Sequence, residues 1–424
     1  MTAELAPLVA LVATILLIVL LRPFAMRSGL VDIPNERKSH RAPTPLVGGI
    51  AIYGGTVLGF LLSNGGPVPL AYGDVYSFFG AGLLLVGVGV ADDFLDLPPA
   101  VKFVAQLLAA LVMIFGAGVV LTDVGAITPG GDLLQLGIMA VPFTVFATIG
   151  IINALNMCDG LDGLSGSLAL TSLSGLILVA STWGSPADTG LLLILGAGIV
   201  GFLLFNRRLL GRARASIFMG DAGSMFLGLA LAWFAISLSQ GETRALRPSA
   251  ALWFLMVPIF DAVAMMLRRI RKGRSPFAAD REHLHDIFLL AGFTVNETVG
   301  MIVGLASLGV FAGLASIYLQ IPEWIVSGAF LLAGIGYFLM ISHAWKVRRF
   351  LNHSICRGRG RAERRQGLSA PYAGPERRSG QDRRAQVQVV AEGEQALGRP
   401  VESSPLASDT PGPACHPSIK SPLI

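Results

Sequence analysis

Long apolar segments separated by short polar connections run through the first 343 residues of the chain. A helix that crosses the hydrocarbon core of a bilayer needs about 20 mainly apolar residues, and roughly 17 to 25 is the working range. The segments that meet this length lie at residues 5–25, 46–63, 75–91, 101–121, 133–152, 164–183, 190–206, 222–240, 250–268, 297–318 and 324–343. The pattern therefore predicts an all-α, polytopic membrane protein with about eleven transmembrane helices.

The composition agrees with a membrane location. Hydrophobic residues make up 53% of the 424 residues and charged residues only 14%, whereas soluble proteins have a charged share of about 25%. The first apolar run lacks the charged start and the small-residue cleavage site of a secretory signal, so we expect a retained helix. Cys158, Cys356 and Cys415 are widely separated, which indicates neither a disulfide framework nor a zinc cluster.

Basic residues are concentrated in alternate connections between the predicted helices. Short cytoplasmic loops of membrane proteins carry the excess of Lys and Arg. The connections after the first, seventh and ninth predicted helices are basic, whereas the opposite connections are nearly bare apart from Arg244 and Arg247. We therefore predict that the N-terminus lies outside, that the C-terminus is cytoplasmic, and that the basic connections face the cytoplasm.

The composition changes after Ala344, where apolar helices give way to a segment rich in Arg, Ser, Gln, Gly and Pro. Such a segment has too little apolar surface to form a core. We therefore divide the chain into a membrane domain, residues 1–343, and a disordered cytoplasmic tail, residues 344–424. Basic residues near Lys346 could contact anionic lipids, and a solvated tail without such a role is the alternative.

Three carboxylates end the third predicted helix, where residues 91–96 read Ala-Asp-Asp-Phe-Leu-Asp. At 3.6 residues per turn, Asp96 should share much of one helix face with Asp92 and Asp93. Clustered carboxylates at the end of a membrane helix repel one another unless a cation or donors compensate, so these residues indicate function. A solvated helix end is the alternative.

Amide and carboxylate side chains recur every third residue in the next cytoplasmic connection, at Asn153, Asn156, Asp159 and Asp162. Hard oxygen ligands at this spacing suit a divalent cation, and Mg²⁺ in particular uses one or two protein ligands together with substrate phosphates. Asp162 could instead be the N-cap of the sixth helix. That alternative does not account for the other three residues.

Asp221 lies in a glycine-containing turn that opens the eighth predicted helix, where residues 218–224 read Phe-Met-Gly-Asp-Ala-Gly-Ser. Backbone N–H groups at a helix start bind anions, and an acid there could hold a cation that bridges to phosphate oxygens. The segment lacks the Gly-Lys-Ser/Thr ending of a Walker A loop.

A charged residue inside the ninth predicted helix, Asp261, requires a partner or a polar cavity because an unpaired charge at that depth is costly. The loop that follows contains Arg274 and, further on, His283 and His285. Two histidines at this spacing do not share a helix face, and zinc would need further close ligands. We interpret this loop as a source of phosphate or nucleotide contacts, with a plain surface loop as the alternative for His285.

As an ordered set, the motifs around Asp92, Asn156, Asp221 and His283 resemble those of the polyprenyl-phosphate N-acetylhexosamine-1-phosphate transferases, over residues 5–343. The run Gly-Arg-Ser-Pro-Phe at residues 273–277 makes the chain more similar to the bacterial undecaprenyl-phosphate GlcNAc-1-phosphate transferases than to the MurNAc-pentapeptide branch. One departure is an acid, Asp286, where the family has the last histidine of a His-x-His-His run. This departure bears on the sugar preference.

The resemblance implies Mg²⁺-dependent transfer of GlcNAc 1-phosphate from a UDP-sugar to undecaprenyl phosphate, with release of UMP, to start a cell-surface polysaccharide such as O antigen. Mn²⁺ is an alternative cation, and another UDP-N-acetylated sugar or the MurNAc-pentapeptide substrate is an alternative donor. The implied location is the bacterial inner membrane, with a cytoplasmic active site and a periplasmic N-terminus. No nucleic-acid partner is expected, a homodimer is left open, and an ion-coupled transporter is the rival class.

The resemblance also implies a role for each motif residue. Asp92 and Asp93 match a pair near the lipid phosphate, and a direct attack by that phosphate is our hypothesis because it is largely dianionic at pH 7. A two-step route through a phospho-aspartate is the alternative. The predicted catalytic residues are Asp92, Asp93, Asp96, Asp159 and Asp162, the predicted substrate-binding residues are Lys38, His40, Lys102, Asn153, Arg274, His283 and His285, and the predicted metal ligands are Asn156 and Asp221.

Overall fold

The computed structural model describes residues 2–33, 43–62, 72–208, 212–241, 244–273, 275 and 283–343. These ranges contain thirteen α-helices and one pair of two-residue strands. The predicted binding residues Lys38, His40 and Arg274 lie outside the described residues, and so does the predicted tail of residues 344–424.

The helices follow one another along the chain with mostly short connections. They are α1 (Thr2–Ser28), α2 (Gly48–Leu62), α3 (Tyr72–Leu95), α4 (Pro99–Ala117), α5 (Ala140–Met157), α6 (Leu164–Trp183), α7 (Pro186–Asn206), α8 (Gly220–Ser237), α9 (Pro248–Phe254), α10 (Met256–Arg271), α11 (Leu284–Leu290), α12 (Val295–Tyr318) and α13 (Glu323–Ser342).

All of the apolar segments predicted from the sequence are largely helical, which confirms the all-α polytopic fold. Within the described ranges, nine helices are individually long and apolar enough to cross a membrane. One of the remaining predicted segments forms α2, which has only 15 residues. At about 1.5 Å per residue this helix is shorter than the ~30 Å hydrocarbon core.

The ninth predicted segment is broken rather than continuous. α9 and α10 meet at Leu255 with a bend of 80°, and counting them as one span gives ten spans among the described residues. Pro258 follows the break closely and has no N–H to donate to a preceding turn, so it fits the first turn of a new helix better than the interior of an old one. The break therefore has a local cause in the sequence.

α8 occupies the centre of the helix bundle. Nearly all of its residues are buried, and it contacts α2, α3, α5 and α6. A membrane helix buried on all sides is surrounded by protein rather than lipid. The position of its first turn is therefore set by its neighbours.

Glycines allow two helices to approach the start of α8 at backbone distance. A Cβ atom at Gly49 in α2 would overlap the backbone nitrogen of Gly223, and a Cβ atom at Gly89 in α3 would overlap the backbone of Ala222. Any side chain at either position would push the helices apart, because no flexible group is present to move aside. These contacts bring the end of α3 and the beginnings of α2 and α8 together.

Backbone hydrogen bonds connect the chain before α2 with the chain before α8. β1 (Val31–Asp32) pairs antiparallel with β2 (Thr44–Pro45). The N–H of Phe218 donates to the carbonyl of Pro45 at 2.8 Å, and the N–H groups of Gly48 and Gly49 donate to the carbonyls of Phe218 and Met219 at 3.0 and 2.9 Å. The approach to Asp221 is therefore fixed by main-chain contacts.

The other end of α8 is held by a buried ion pair. Arg244 donates to both carboxylate oxygens of Asp123, at 3.0 and 3.2 Å, and Asp123 is buried. The side chain of Gln240 accepts hydrogen bonds from the N–H and hydroxyl of Thr122 at 2.9 and 2.8 Å. A two-pronged Arg–carboxylate pair fixes geometry as well as charge, so α8 is anchored at both ends.

We predict that Gly49→Ala lowers the thermal stability of the detergent-solubilised protein, because overpacking of a close helix contact costs about 1 to 3 kcal/mol. The matched control is Gly87→Ala in α3, where a Cβ atom would meet nothing within 4 Å. The control should be as stable as the wild type, or slightly more so, because Ala is favoured over Gly in a helix by up to about 1 kcal/mol. Equal melting temperatures for the two variants would contradict the packing argument.

Candidate active site

Three helices contribute charged side chains to one cluster, which we call the Lys102 cluster: Asp92 and Asp93 of α3, Lys102 of α4 and Asp221 of α8. The ammonium of Lys102 lies 2.9 Å from Oδ2 of Asp92 and 3.0 Å from Oδ2 of Asp221. Asp92 also accepts a hydrogen bond from the N–H of Leu97 at 2.9 Å, which fixes the connection between α3 and α4. One cation thus joins residues that lie more than one hundred positions apart in the chain.

Asp93 holds the N-terminus of α8. Its Oδ1 accepts a hydrogen bond from the N–H of Asp221 at 3.1 Å. Gly220 has a φ of 71°, and a Cβ atom there would overlap Oδ2 of Asp93, so glycine is required for this approach. Oδ2 of Asp93 is buried and has no hydrogen-bond partner. A buried carboxylate oxygen without a donor calls for a cation or a substrate group.

Asp96 does not share a helix face with the other two acids, contrary to the prediction. α3 ends at Leu95, and Asp96 follows it with a φ of 52° in the left-handed region. Its N–H donates to the carbonyl of Asp92 at 2.8 Å, while its side chain is exposed. Helical spacing does not apply to Asp96, because the helix ends before this residue. Pro98 follows closely, and a proline disfavours the helical conformation of the residue before it.

Asn156 lies at the end of α5 and points its amide group at α8. Its Nδ2 donates to Oδ1 of Asp221 at 3.0 Å and to Oγ of Ser224 at 2.8 Å. The two predicted metal ligands, Asn156 and Asp221, are therefore in direct contact. Ser224 is one turn after Asp221 and completes this contact.

Asn153, one turn earlier in α5, faces a different partner. Its Nδ2 donates to Oε1 of Gln106 at 2.7 Å and to the carbonyl of Ile149 at 2.8 Å. Gln106 is buried and lies one turn after Lys102 in α4. Asn153 was predicted to bind substrate, and the structure places it in the contact between α4 and α5 next to the Lys102 cluster.

Asp159 lies in the turn between α5 and α6 and is half-buried. Burial raises the pKa of its carboxyl to about 7, with further contributions from the negative charges of Asp221, Asp162 and Asp32. The neighbouring thiol of Cys158 is buried, and burial raises its pKa well above the ordinary value, which keeps the thiol protonated and unreactive. Asp159 is thus the acid of this turn whose raised pKa lies near neutral pH.

Asp162 belongs to a separate ion pair. Its Oδ2 accepts hydrogen bonds from Nε of Arg208 at 2.7 Å and from the N–H of Ala215 at 2.9 Å. The N-cap of α6 is Gly163, so the alternative role of Asp162 as N-cap is not observed. Asp162 fixes the connection between α7 and α8 to the turn that carries Asp159.

His283 precedes α11 and is held by the acid inside α10. Its Nδ1 lies 2.8 Å from Oδ2 of Asp261. Oδ1 of Asp261 accepts hydrogen bonds from the N–H of Leu284 at 3.1 Å and from the hydroxyl of Tyr337 in α13 at 2.8 Å. The requirement that Asp261 have a partner is therefore met within the protein.

His285 stacks on His283 and reaches the turn of Asp159. The two rings are 5.5 Å apart and nearly parallel, at 9°. A Cβ atom at Gly160 would lie 2.5 Å from Nε2 of His285, so the absence of a side chain at Gly160 allows this contact. Burial lowers the pKa of His285 and favours its neutral form. Both predicted histidines therefore lie beside the Asp159 turn.

Asp286, the acid in place of a family histidine, has a structural explanation. Its Oδ2 accepts a hydrogen bond from the backbone N–H of His283 at 3.3 Å. The acid lies in the first turn of α11, where carboxylates are favoured by the helix dipole and by unpaired N–H groups. Its Oδ1 is 3.7 Å from Nε2 of His285, so the acid also adjoins the histidine pair.

The donor set of the Lys102 cluster suits a hard divalent cation. When all groups are ionised, three carboxylates and one ammonium leave a local charge of −2, which one divalent ion would balance. Among the residues that the structure describes, no three carboxylate, imidazole or thiolate groups form a complete metal-ligand set. Mg²⁺ does not require such a set, because it keeps several waters and binds through one or two carboxylates and substrate phosphates. Asp221, Asn156 and the unpaired oxygen of Asp93 would be its nearest protein groups.

Three polar residues of this region were missed from the sequence: Gln106, Ser224 and Tyr337. A signal was present for the first, because Lys102 and Gln106 are one turn apart on an otherwise apolar helix. Ser224 lies within the quoted motif of residues 218–224. For Tyr337 no sequence signal was available, since its partner lies 76 residues away in another helix.

We predict that Asp159→Asn changes the pH dependence of stability in the absence of divalent cations. Asp159 holds its proton to about pH 7 in the folded protein but only to about pH 4 when unfolded. The folded state therefore binds more protons, and its stability falls as pH rises from about 4 to 7. The variant lacks this pH-dependent loss, so its free energy of unfolding should rise relative to that of the wild type between pH 5 and 8, by about 2.6 kcal/mol at most, and its melting temperature should rise with it. A constant difference across that range would contradict the raised pKa.

Comparison with known proteins shows the family of the chain. Residues 75–239, which include the Lys102 cluster, match glycosyl transferase family 4. The chain is 36% identical over 357 residues to undecaprenyl-phosphate alpha-N-acetylglucosaminyl 1-phosphate transferase of Salmonella typhimurium, covering 84% of this chain and 95% of that protein. The protein of the same name from Haemophilus influenzae is 32% identical, over 81% of this chain and 95% of the relative. The chain therefore belongs to glycosyl transferase family 4, among the polyprenyl-phosphate N-acetylhexosamine-1-phosphate transferases that its motifs resemble.

Proposed function

We propose that the protein transfers GlcNAc 1-phosphate from UDP-GlcNAc to undecaprenyl phosphate and releases UMP. The observation that carries this proposal is the Lys102 cluster, in which Asp92, Asp221 and Lys102 from three helices meet at 2.9 and 3.0 Å. The curated relatives are named as transferases of this sugar phosphate to this lipid phosphate. Their similarity extends over most of both chains, so the same activity is the simplest proposal.

The proposed reaction is a displacement at phosphorus. An oxygen of the lipid phosphate forms a bond to the phosphorus that carries the sugar, and the bond from that phosphorus to the oxygen bridging to the uridine-bearing phosphate breaks. The electron pair leaves with UMP. A phosphate monoester is largely dianionic at pH 7, so the acceptor needs no proton removed before it attacks. Positioning and charge neutralisation are therefore the main demands on the protein.

The ammonium of Lys102 is suited to neutralise phosphate charge. It bridges Asp92 and Asp221, and it is partly exposed. When a phosphate enters, the ammonium can exchange a carboxylate for a phosphate oxygen with little movement, since a Lys side chain is a flexible point charge. The carboxylates released by the ammonium would then be available to the metal ion.

Mg²⁺ is the proposed cofactor, with Mn²⁺ as a substitute. When bound, such an ion would supply neutralisation of the negative charge on the phosphate groups. Asp221 and Asn156 would hold it, and the unpaired Oδ2 of Asp93 faces the same region. Asp159 lies close enough to Asp221 for their charges to interact, so it would also respond to the ion.

The histidine pair is placed to contact the donor. His283 and His285 are stacked and adjoin Gly160, next to Asp159. A neutral imidazole can donate through its N–H or accept at its other nitrogen, so the pair can bind both the hydroxyl groups and the oxygens of the nucleotide sugar. We therefore assign the pair to the UDP-sugar and Asp92 and Asp93 to the side of the lipid phosphate.

The proposed location is the bacterial inner membrane with the active site on the cytoplasmic side. The basic connections after the first, seventh and ninth predicted helices support this orientation, because positive loops remain in the cytoplasm. The Lys102 cluster and the histidine pair lie at the same ends of the helices as these connections. A cytosolic UDP-sugar would then reach the site directly.

The first test is an assay of membranes containing the protein, with Mg²⁺, undecaprenyl phosphate and a panel of radiolabelled UDP-sugars that includes UDP-MurNAc-pentapeptide. We expect UMP release with UDP-GlcNAc, dependent on both lipid and Mg²⁺. Without the acceptor lipid, no label should remain on the protein, because the attack is direct. Turnover of another donor alone would replace GlcNAc in the proposal, and a labelled phospho-enzyme would contradict the direct attack.

We also predict that Asp221→Asn lowers kcat by at least 100-fold at ordinary Mg²⁺ concentration, because it removes the carboxylate charge that contacts both Lys102 and Asn156. The matched control is Asp132→Asn, an exposed acid in the connection between α4 and α5, which should keep full activity. Both variants should retain the melting profile of a folded protein. Full activity of Asp221→Asn would remove this residue from the proposed metal site.

A further inference from the structure

Asp261 is a buried acid that the proposed chemistry does not use. It is 3% exposed, lies inside α10 and makes three hydrogen bonds, all to groups of this chain. The bonds reach His283, the N–H of Leu284 and the hydroxyl of Tyr337. The acid therefore contacts the residue before α11, the first residue of α11 and the helix α13.

The pattern of donors determines which nitrogen of His283 carries a proton. The N–H of Leu284 can only donate, and an ionised carboxylate can only accept. Oδ2 of Asp261 therefore accepts from Nδ1 of His283, at 2.8 Å. Nδ1 must carry a proton, and Nε2 is left as the nitrogen that faces other groups.

The same acid also sets the position of the second histidine. Asp261 accepts the N–H of Leu284 and thereby fixes the start of α11. His285 is the next residue of that helix, and its ring stacks on His283 at 5.5 Å. Through Gly160 this pair adjoins the turn that carries Asp159. One buried carboxylate thus orients both rings.

We propose that Asp261, supported by Tyr337, is a positioning residue that holds His283 with its proton on Nδ1, so that Nε2 can accept a hydrogen bond from a hydroxyl group of the nucleotide sugar, with His285 stacked beside it. The role of the histidines as donor contacts rests on the proposed function. The geometry that Asp261 imposes on them does not, because it follows from the contacts within the chain.

The informative variant is Asp261→Asn, because Asn has nearly the same shape as Asp but reverses the direction of the hydrogen bond with His283. The N–H of Leu284 needs an acceptor, so the amide oxygen must face Leu284 and the amide NH₂ must face His283. Nδ1 of His283 then has to accept, and its proton moves to Nε2. In other enzymes, replacing the Asp that is hydrogen-bonded to a catalytic histidine by Asn stabilises the wrong tautomer of that histidine and lowers kcat by up to ~10⁴-fold.

The first measurement reads the tautomer directly, by ¹⁵N NMR of histidine-labelled protein in nanodiscs. The chain has six histidines, and His283→Gln identifies the signal of His283. We expect a protonated Nδ1 and an unprotonated Nε2 in the wild type, and the reverse in Asp261→Asn. An unchanged spectrum in Asp261→Asn, or a wild type with its proton on Nε2, would overturn the proposal. This result does not depend on the transferase assay, so it separates the inference from the proposed function.

The second measurement is kinetic. We expect Asp261→Asn to lower kcat by about 100-fold or more with a smaller change in KM for lipid, since the lipid side of the site is untouched. In a His283→Gln background the same substitution should add less than a twofold loss, because the residue through which it acts is already absent. Losses that multiply in the double variant would show that Asp261 acts independently of His283.

A milder pair of variants covers the case in which Asp261→Asn does not fold. Tyr337→Phe removes one 2.8 Å hydrogen bond to Asp261. Tyr53→Phe removes a bond of the same length, from α2 to the carbonyl of Phe79, at a site outside the catalytic machinery. Both should lose similar thermal stability, while only Tyr337→Phe should lower kcat, by about threefold to tenfold. Equal kcat values in these two variants would contradict the proposal.

Discussion

The ammonium of Lys102 is the contact on which the candidate site depends. It lies between Asp92 and Asp221, and each of these residues also fixes a main-chain segment or a neighbouring amide. Without a cation between them, acids from α3 and α8 would repel each other at the place where glycines bring the two helices to backbone distance. The close packing and the charge cluster are therefore one constraint. The glycines permit the approach, and Lys102 makes the approach electrostatically tolerable.

A second set of contacts connects the membrane helices to the histidine pair. Asp261 in α10 accepts hydrogen bonds from His283 and from Tyr337 in α13. His285 stacks on His283 and lies beside the turn of Asp159. Polar groups buried in membrane helices are costly unless they are fully hydrogen-bonded. Here each oxygen of Asp261 has at least one donor. Asp261 lies in α10, the second helix of the broken span.

The acids of the sequence motifs differ in what they do in the folded chain. Asp92, Asp93 and Asp221 meet in the Lys102 cluster. Asp96 points away because α3 stops one residue earlier, and helical spacing has no meaning beyond a helix end. Asp162 is engaged by Arg208 and Ala215, two partners from a connection 46 and 53 residues away. Asn153 pairs with Gln106. In each case a long-range partner, which local pattern does not contain, decided the role.

The sequence by itself determined the all-α membrane fold, the positions of its helices and the identity of most residues at the site. Hydropathy is a property of each segment, so a segment reveals it without its neighbours. Motif residues were recognisable because they form an ordered set along the chain. Only the tertiary structure decided that Lys102 bridges two acids, that Asp261 is hydrogen-bonded to His283, and that α9 and α10 form a broken span. These features depend on distances between residues far apart in sequence, and such distances are set by how helices pack rather than by any one helix.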